Sequence, residues 1–70
     1  MTAEEWVRRF AEELGAEVPD ATEVEEVLRL AAAAAHASER TAAPVASWLA
    51  GKTGRPIAEL ADLAERLEPS

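Results

Sequence analysis

Residues 31–44 read Ala31-Ala32-Ala33-Ala34-Ala35-His36-Ala37-Ser38-Glu39-Arg40-Thr41-Ala42-Ala43-Pro44, and this stretch decides the architecture. Alanine is the strongest helix former, and five in a row carry no charge to face solvent. Such a helix is one that neighbours approach closely on several sides. Pro44 cannot sit inside it but fits the first turn of the next, so the stretch holds a helix, a break and a second start. The only histidine and one of the seven basic residues stand beside the tract, in a chain of net charge −7. The expected fold is all-α: a compact four-helix bundle with the second helix central.

Outward from the tract, three further helices are legible. Thr2 and Glu5 have capping-box spacing ahead of a helix expected over residues 3–14, and Gly15 and Pro19 stop it. Trp6, Phe10, Ala3, Leu14, Val7 and Ala11 fall within one arc of about 140°. Glu4–Arg8, Glu5–Arg9, Arg8–Glu12 and Arg9–Glu13 pair at i,i+4 on the other side. Thr22 and Glu25 suit a second capping box, for a helix over 23–39. Thr41 is then the expected cap of a helix over 42–51, with Val45, Trp48 and Leu49 marking its core side. Pro56 opens a fourth helix over 56–67, with Ile57, Leu60, Ala61, Leu63, Ala64 and Leu67 as its stripe. Residues 68–70 are expected to fray.

Seventy residues make one expected domain, 1–70, near the lower size limit for a single core. A core this small leaves about 3–5 kcal/mol of net stability, so a homodimer is an open expectation. It also leaves little volume for a deep enclosed active site. With no cysteine, disulfides, thiolate metal sites and cysteine nucleophiles are excluded, and one histidine makes no zinc site alone. No cofactor is implied. The alanine tract is far short of the roughly 20 apolar residues that cross a bilayer. The N-terminus is acidic where a signal peptide would be basic, so a cytoplasmic location is expected.

Charge is uneven along the chain. Residues 1–28 carry −7, residues 29–58 carry +3 and residues 59–70 carry −3. The overall balance argues against nucleic acid and against anionic membranes as partners. The basic middle is either neutralised by the acidic ends or forms a local anion site.

The polar residues that could make such a site are His36, Arg40, Thr41 and Arg29. On a continuous helix, Arg29, Ala33, His36 and Arg40 form one stripe, flanked by small residues. Beyond Thr41 the first N–H groups of the next helix and its dipole favour an anion. Arg40 could hold a phosphate or carboxylate bidentately, and His36 could donate a hydrogen bond or move a proton near neutral pH. The structural alternatives are an Arg40 that reaches the last carbonyls of the second helix or pairs with Glu39 or an acid of the first helix, and a His36 that caps the core. Nothing points to catalysis. Ser38 and Ser47 lie in no nucleophile elbow. Gly51-Lys52-Thr53 has the ending of a P-loop but lacks its upstream glycine and its strand. Trp6 and Trp48 are either core or a docking platform.

The block Ala35-His36-Ala37-Ser38-Glu39-Arg40-Thr41-Ala42-Ala43-Pro44, followed by Ser47-Trp48-Leu49-Ala50-Gly51, resembles a family of small actinobacterial helical domains of unknown function. The pattern from Trp6 to Leu14-Gly15 is similar as well. Members of that family occur alone or C-terminal to molybdenum cofactor guanylyltransferase domains. The resemblance implies an accessory role near molybdopterin guanine dinucleotide synthesis or molybdoenzyme maturation, and it brings no activity with it. The expected partner is a protein or a phosphate-bearing ligand. The competing expectation is a plain protein-interaction or homo-oligomerisation module.

Overall fold

The structure, a computed structural model, describes residues 1–67; the fraying expected for residues 68–70 lies outside them. Four helices follow one another: α1 (Ala3–Leu14), α2 (Ala21–Ala37), α3 (Ala42–Thr53) and α4 (Ile57–Arg66), with no strand among the described residues. The fold is all-α with α2 at its centre. α2 packs against both α3 and α4, while α1 packs against none of the other three helices. Among the described residues no helix is long and apolar enough to cross a membrane.

Each helix begins and ends for a local reason. The Thr2 hydroxyl accepts the Glu5 N–H at 3.1 Å and starts α1 as expected. Gly15 ends it in the left-handed region, at φ 70°, where a side chain would be strained. α2 starts two residues earlier than the Thr22 box predicts. Asp20 accepts the Glu23 N–H at 2.8 Å while the Glu23 carboxylate accepts the Asp20 N–H at 2.9 Å. A carboxylate cap earlier in the chain also faces the helix dipole, and it outcompetes a neutral hydroxyl. α2 then ends at Ala37, short of the expected Glu39. Thr41 is no side-chain cap for α3: its own backbone is helical, at φ −68° and ψ −17°, instead of the extended conformation of a capping residue, and its side chain makes no capping hydrogen bond. Pro56 sits just before α4, and its carbonyl accepts from Glu59 and Leu60.

The core is small and rich in alanine. Leu30 of α2, Ala50 of α3 and Leu60 and Ala61 of α4 are buried together, with Ile57 and Ala64 packed against them. Ala61 is 0% exposed. In the alanine tract Ala31, Ala33, Ala34 and Ala35 are half-buried and Ala32 is exposed, so the tract lines the bundle without being enclosed by it.

α3 is turned the opposite way from the expectation. Its small residues face inward: Ala50 is buried, and Ala43, Ala46 and Ser47 are half-buried. The Ser47 hydroxyl satisfies itself by donating to the Ala43 carbonyl at 2.9 Å. Val45, Trp48 and Leu49 face out, Trp48 being 63% exposed. Small side chains let α3 approach the alanine-lined α2 closely, and the large ones are left for solvent or a partner. In α1 only Ala11 is buried, and Trp6, Phe10 and Leu14 are more than half exposed.

Candidate functional site

α2 stops before Arg40, and this separates the four polar residues. The Ser38 N–H still donates to the Ala34 carbonyl, but a tight turn follows, in which the Ala42 N–H bonds the Glu39 carbonyl at 2.9 Å and the Ala43 N–H bonds the Arg40 carbonyl at 3.2 Å. The stripe that would have placed His36 and Arg40 on one face is therefore broken at residue 38. Arg29 and His36 share one open groove with Ala33, Ala37, Ala64 and Glu65. Arg40 and Thr41 line another, with Ala35, Glu39 and Pro44.

Arg29 is committed to α4. Its Nε donates to Glu65 at 3.0 Å, and its terminal nitrogen donates to Glu65 at 2.7 Å and to Asp62 at 2.6 Å. The paired carboxylates stabilise the guanidinium charge and push the Arg29 pKa up, the bonds to Glu65 contributing most. The same bonds hold the Glu65 carboxyl below its ordinary value. Asp62 and Glu65 stand three residues apart on α4, so one guanidinium reaches both. The clamp ties α2 to α4 and forms one wall of the groove beside His36.

The N–H groups expected to be free after Thr41 are largely used. Those of Ala42 and Ala43 close the turn, and Pro44 has none. What remains at this corner is the exposed side chain of Arg40, which forms no ion pair among the described residues, next to the exposed Thr41. The other cations between residues 29 and 58 have partners, whereas Arg8, Arg9 and Arg66 form no ion pair among the described residues and the i,i+4 pairs expected on α1 are not made. Arg55 pairs with Glu59, and the Lys52 Nζ lies 4.3 Å from the centre of the Trp48 ring. The acids of α4 thus neutralise part of the basic middle of the chain.

Apolar side chains stand on the surface: Trp6 and Trp48, for which core and docking platform were both open, and Val45 and Leu49, expected on the core side of α3. On α1, Trp6 and Phe10 stack with ring centres 5.1 Å apart and planes 29° from parallel. On α3, Val45, Trp48 and Leu49 stand out beside Lys52. The signal that was available is the alternation of alanine with large residues around α3: close helix packing favours the alanine side.

No curated protein and no solved structure matches the chain. A family profile does, across residues 1–69, and its description is "Domain of unknown function (DUF6457)". The match spans all four helices, so the chain belongs to the DUF6457 family.

Proposed function

We propose that this domain is a non-catalytic accessory module that works by binding another protein surface. The observation that carries the reading is the apolar outer side of α3 together with that of α1: Trp48 is 63% exposed, Trp6 54% and Phe10 51%. Solitary exposed apolar residues need no explanation, but aromatic and aliphatic groups aligned on one helix face are a docking surface. Buried tryptophan is also the residue type that most often dominates binding energy. Arg40 and Thr41, just before α3, supply the polar edge of that surface, and Arg40 meets a carboxylate or a phosphate-bearing ligand there. His36 borders the separate groove on the α4 side. Arg29 acts by holding that groove's wall through its carboxylate clamp.

The setting we propose is molybdopterin guanine dinucleotide synthesis or molybdoenzyme maturation. It rests on the resemblance of residues 35–51 to domains found C-terminal to molybdenum cofactor guanylyltransferases. Titration calorimetry of the chain against such a transferase tests both parts. Binding is expected, weakened by about 2 kcal/mol or more in Trp48→Ala. Arg40→Ala is expected to cost about 1.5–3 kcal/mol if its charged hydrogen bond is made. If Arg40→Ala abolishes binding while Trp48→Ala leaves it intact, the polar corner is the site and the apolar face is not. No binding to the transferase at all removes the molybdenum cofactor setting.

A further inference from the structure

Two apolar faces on one short chain stand without a partner. α1 presents Trp6, Val7, Phe10 and Leu14, and the 100° spacing puts Glu4 and Glu13 at the edges of that stripe. α3 presents Val45, Trp48 and Leu49, with Lys52 over the indole and no acid anywhere between Glu39 and Glu59. Both helices have 12 residues; the apolar stripe runs about 12 Å along α1 and about 6 Å along α3. Both faces are aromatic and aliphatic; acids stand at the edges of the α1 stripe, with Arg9 beside Trp6, Phe10 and Glu13, and Lys52 is the charge on the α3 side.

α1 does not reach its own chain's α3. The Gly15 N–H bonds the Ala11 and Glu12 carbonyls. The Ala16 N–H adds a 2.9 Å bond to Ala11. Asp20 is already in the capping box of α2, so only residues 17–19 join two closed ends, and Pro19 fixes its own φ. A lone helix of this length is marginal in water, so α1 needs a surface to rest on.

The accessible area says how much surface is to be covered. The chain exposes 5543 Å². A folded single domain of its 7.5 kDa mass exposes about 4,200 Å², an excess of about 1,300 Å² per chain. Burying that excess on two copies gives an interface of about 2,600 Å², in the range of obligate homodimers.

We infer that a second copy of this chain covers these faces: α1 of each copy lies along the outer side of α3 of the other, and the two contacts close a two-fold dimer. The inference rests on the reading of these faces as docking surfaces and names their first occupant. Arg40 stays at the edge of each covered α3, open to a further partner.

Sedimentation equilibrium over about 1–300 μM tests it. The expected species has twice the chain mass. Phe10→Glu and Trp48→Glu each raise the dimer dissociation constant by about 100-fold or more. Both positions are exposed in a single chain, so circular dichroism should show α2–α4 intact in each variant. Mixing the two variants restores a dimer, because the mixed pair keeps one undamaged α1–α3 contact. Two monomeric variants that fail to recover on mixing overturn the exchange. A wild-type monomer whose tryptophans stay open to acrylamide overturns the second copy and leaves the surface to a different protein. A wild-type monomer with shielded tryptophans and a radius of gyration near about 11 Å has closed α1 on itself, and that overturns both readings.

Discussion

At the scale of single residues, the tightest position is Ala61, 0% exposed between α4 and the α2–α3 pair. A larger side chain there would have to push into Leu30, Ala50 or Leu60, the buried residues of the same cluster. Ala61→Leu is expected to overpack this small core and cost about 1–3 kcal/mol, read as a lower midpoint in chemical denaturation. Ala32→Leu, on the exposed side of the tract, should leave the midpoint within about 0.5 kcal/mol of wild type. The second test is electrostatic. Glu65 titrates below its ordinary value when folded, because Arg29 donates to its charged form. Its contribution to stability is therefore complete above the unfolded-state pKa and disappears as pH falls through the depressed folded one. In Arg29→Met that part of the acid sensitivity should vanish, so the stability curves of variant and wild type converge as the pH drops. The clamp is solvent-exposed, so added salt should narrow the difference at neutral pH as well.

At the scale of elements, side-chain caps start α1 and α2, whereas α3 and α4 begin without one. Asp20→Ala is expected to cost about 1 kcal/mol of bundle stability, and Thr22→Ala less than about 0.5. Thermal melts of the two variants check the order. These same residues show what was legible in the sequence. The limits of α1 follow from Thr2, Glu5 and Gly15, because a cap and a left-handed glycine act within a few residues of chain. The start of α2 was misplaced by two residues because Asp20–Glu23 and Thr22–Glu25 both have capping spacing, and what ranks them is the helix dipole's preference for a charged cap over a hydroxyl. The sides of α3 were legible and its facing was not. Large apolar residues mark one side and alanines the other, and hydrophobicity alone points the larger groups inward. What orients α3 is how closely Ala43, Ala46 and Ala50 can approach α2, and that is a property of the pair.

At the scale of the whole molecule, charge and shape act together. The described fold measures 37 × 25 × 18 Å, with a radius of gyration of 12.6 Å. With a sequence pI near 4.5, the repulsion that keeps copies apart fades in mild acid. Light scattering should then show a solubility minimum close to that pH. The candidate site was only partly legible at this scale. His36, Arg40 and Thr41 were recognisable as the polar residues around a helix break, but where α2 would stop decided whether they converged. The partners of Arg29 lie on another helix, more than thirty residues on, and no local pattern announces them. One feature of the fold also sets how the chain opens in time. Because α1 leans on no other helix, its amides are guarded only by their own turn, whereas those around Leu30 and Ala61 are released only when α2, α3 and α4 come apart together. Deuterium uptake should run on two clocks, fast for residues 3–14 and slow for α2–α4. Raising the protein concentration should lengthen the fast clock if copies clasp one another, and leave it unchanged if they do not.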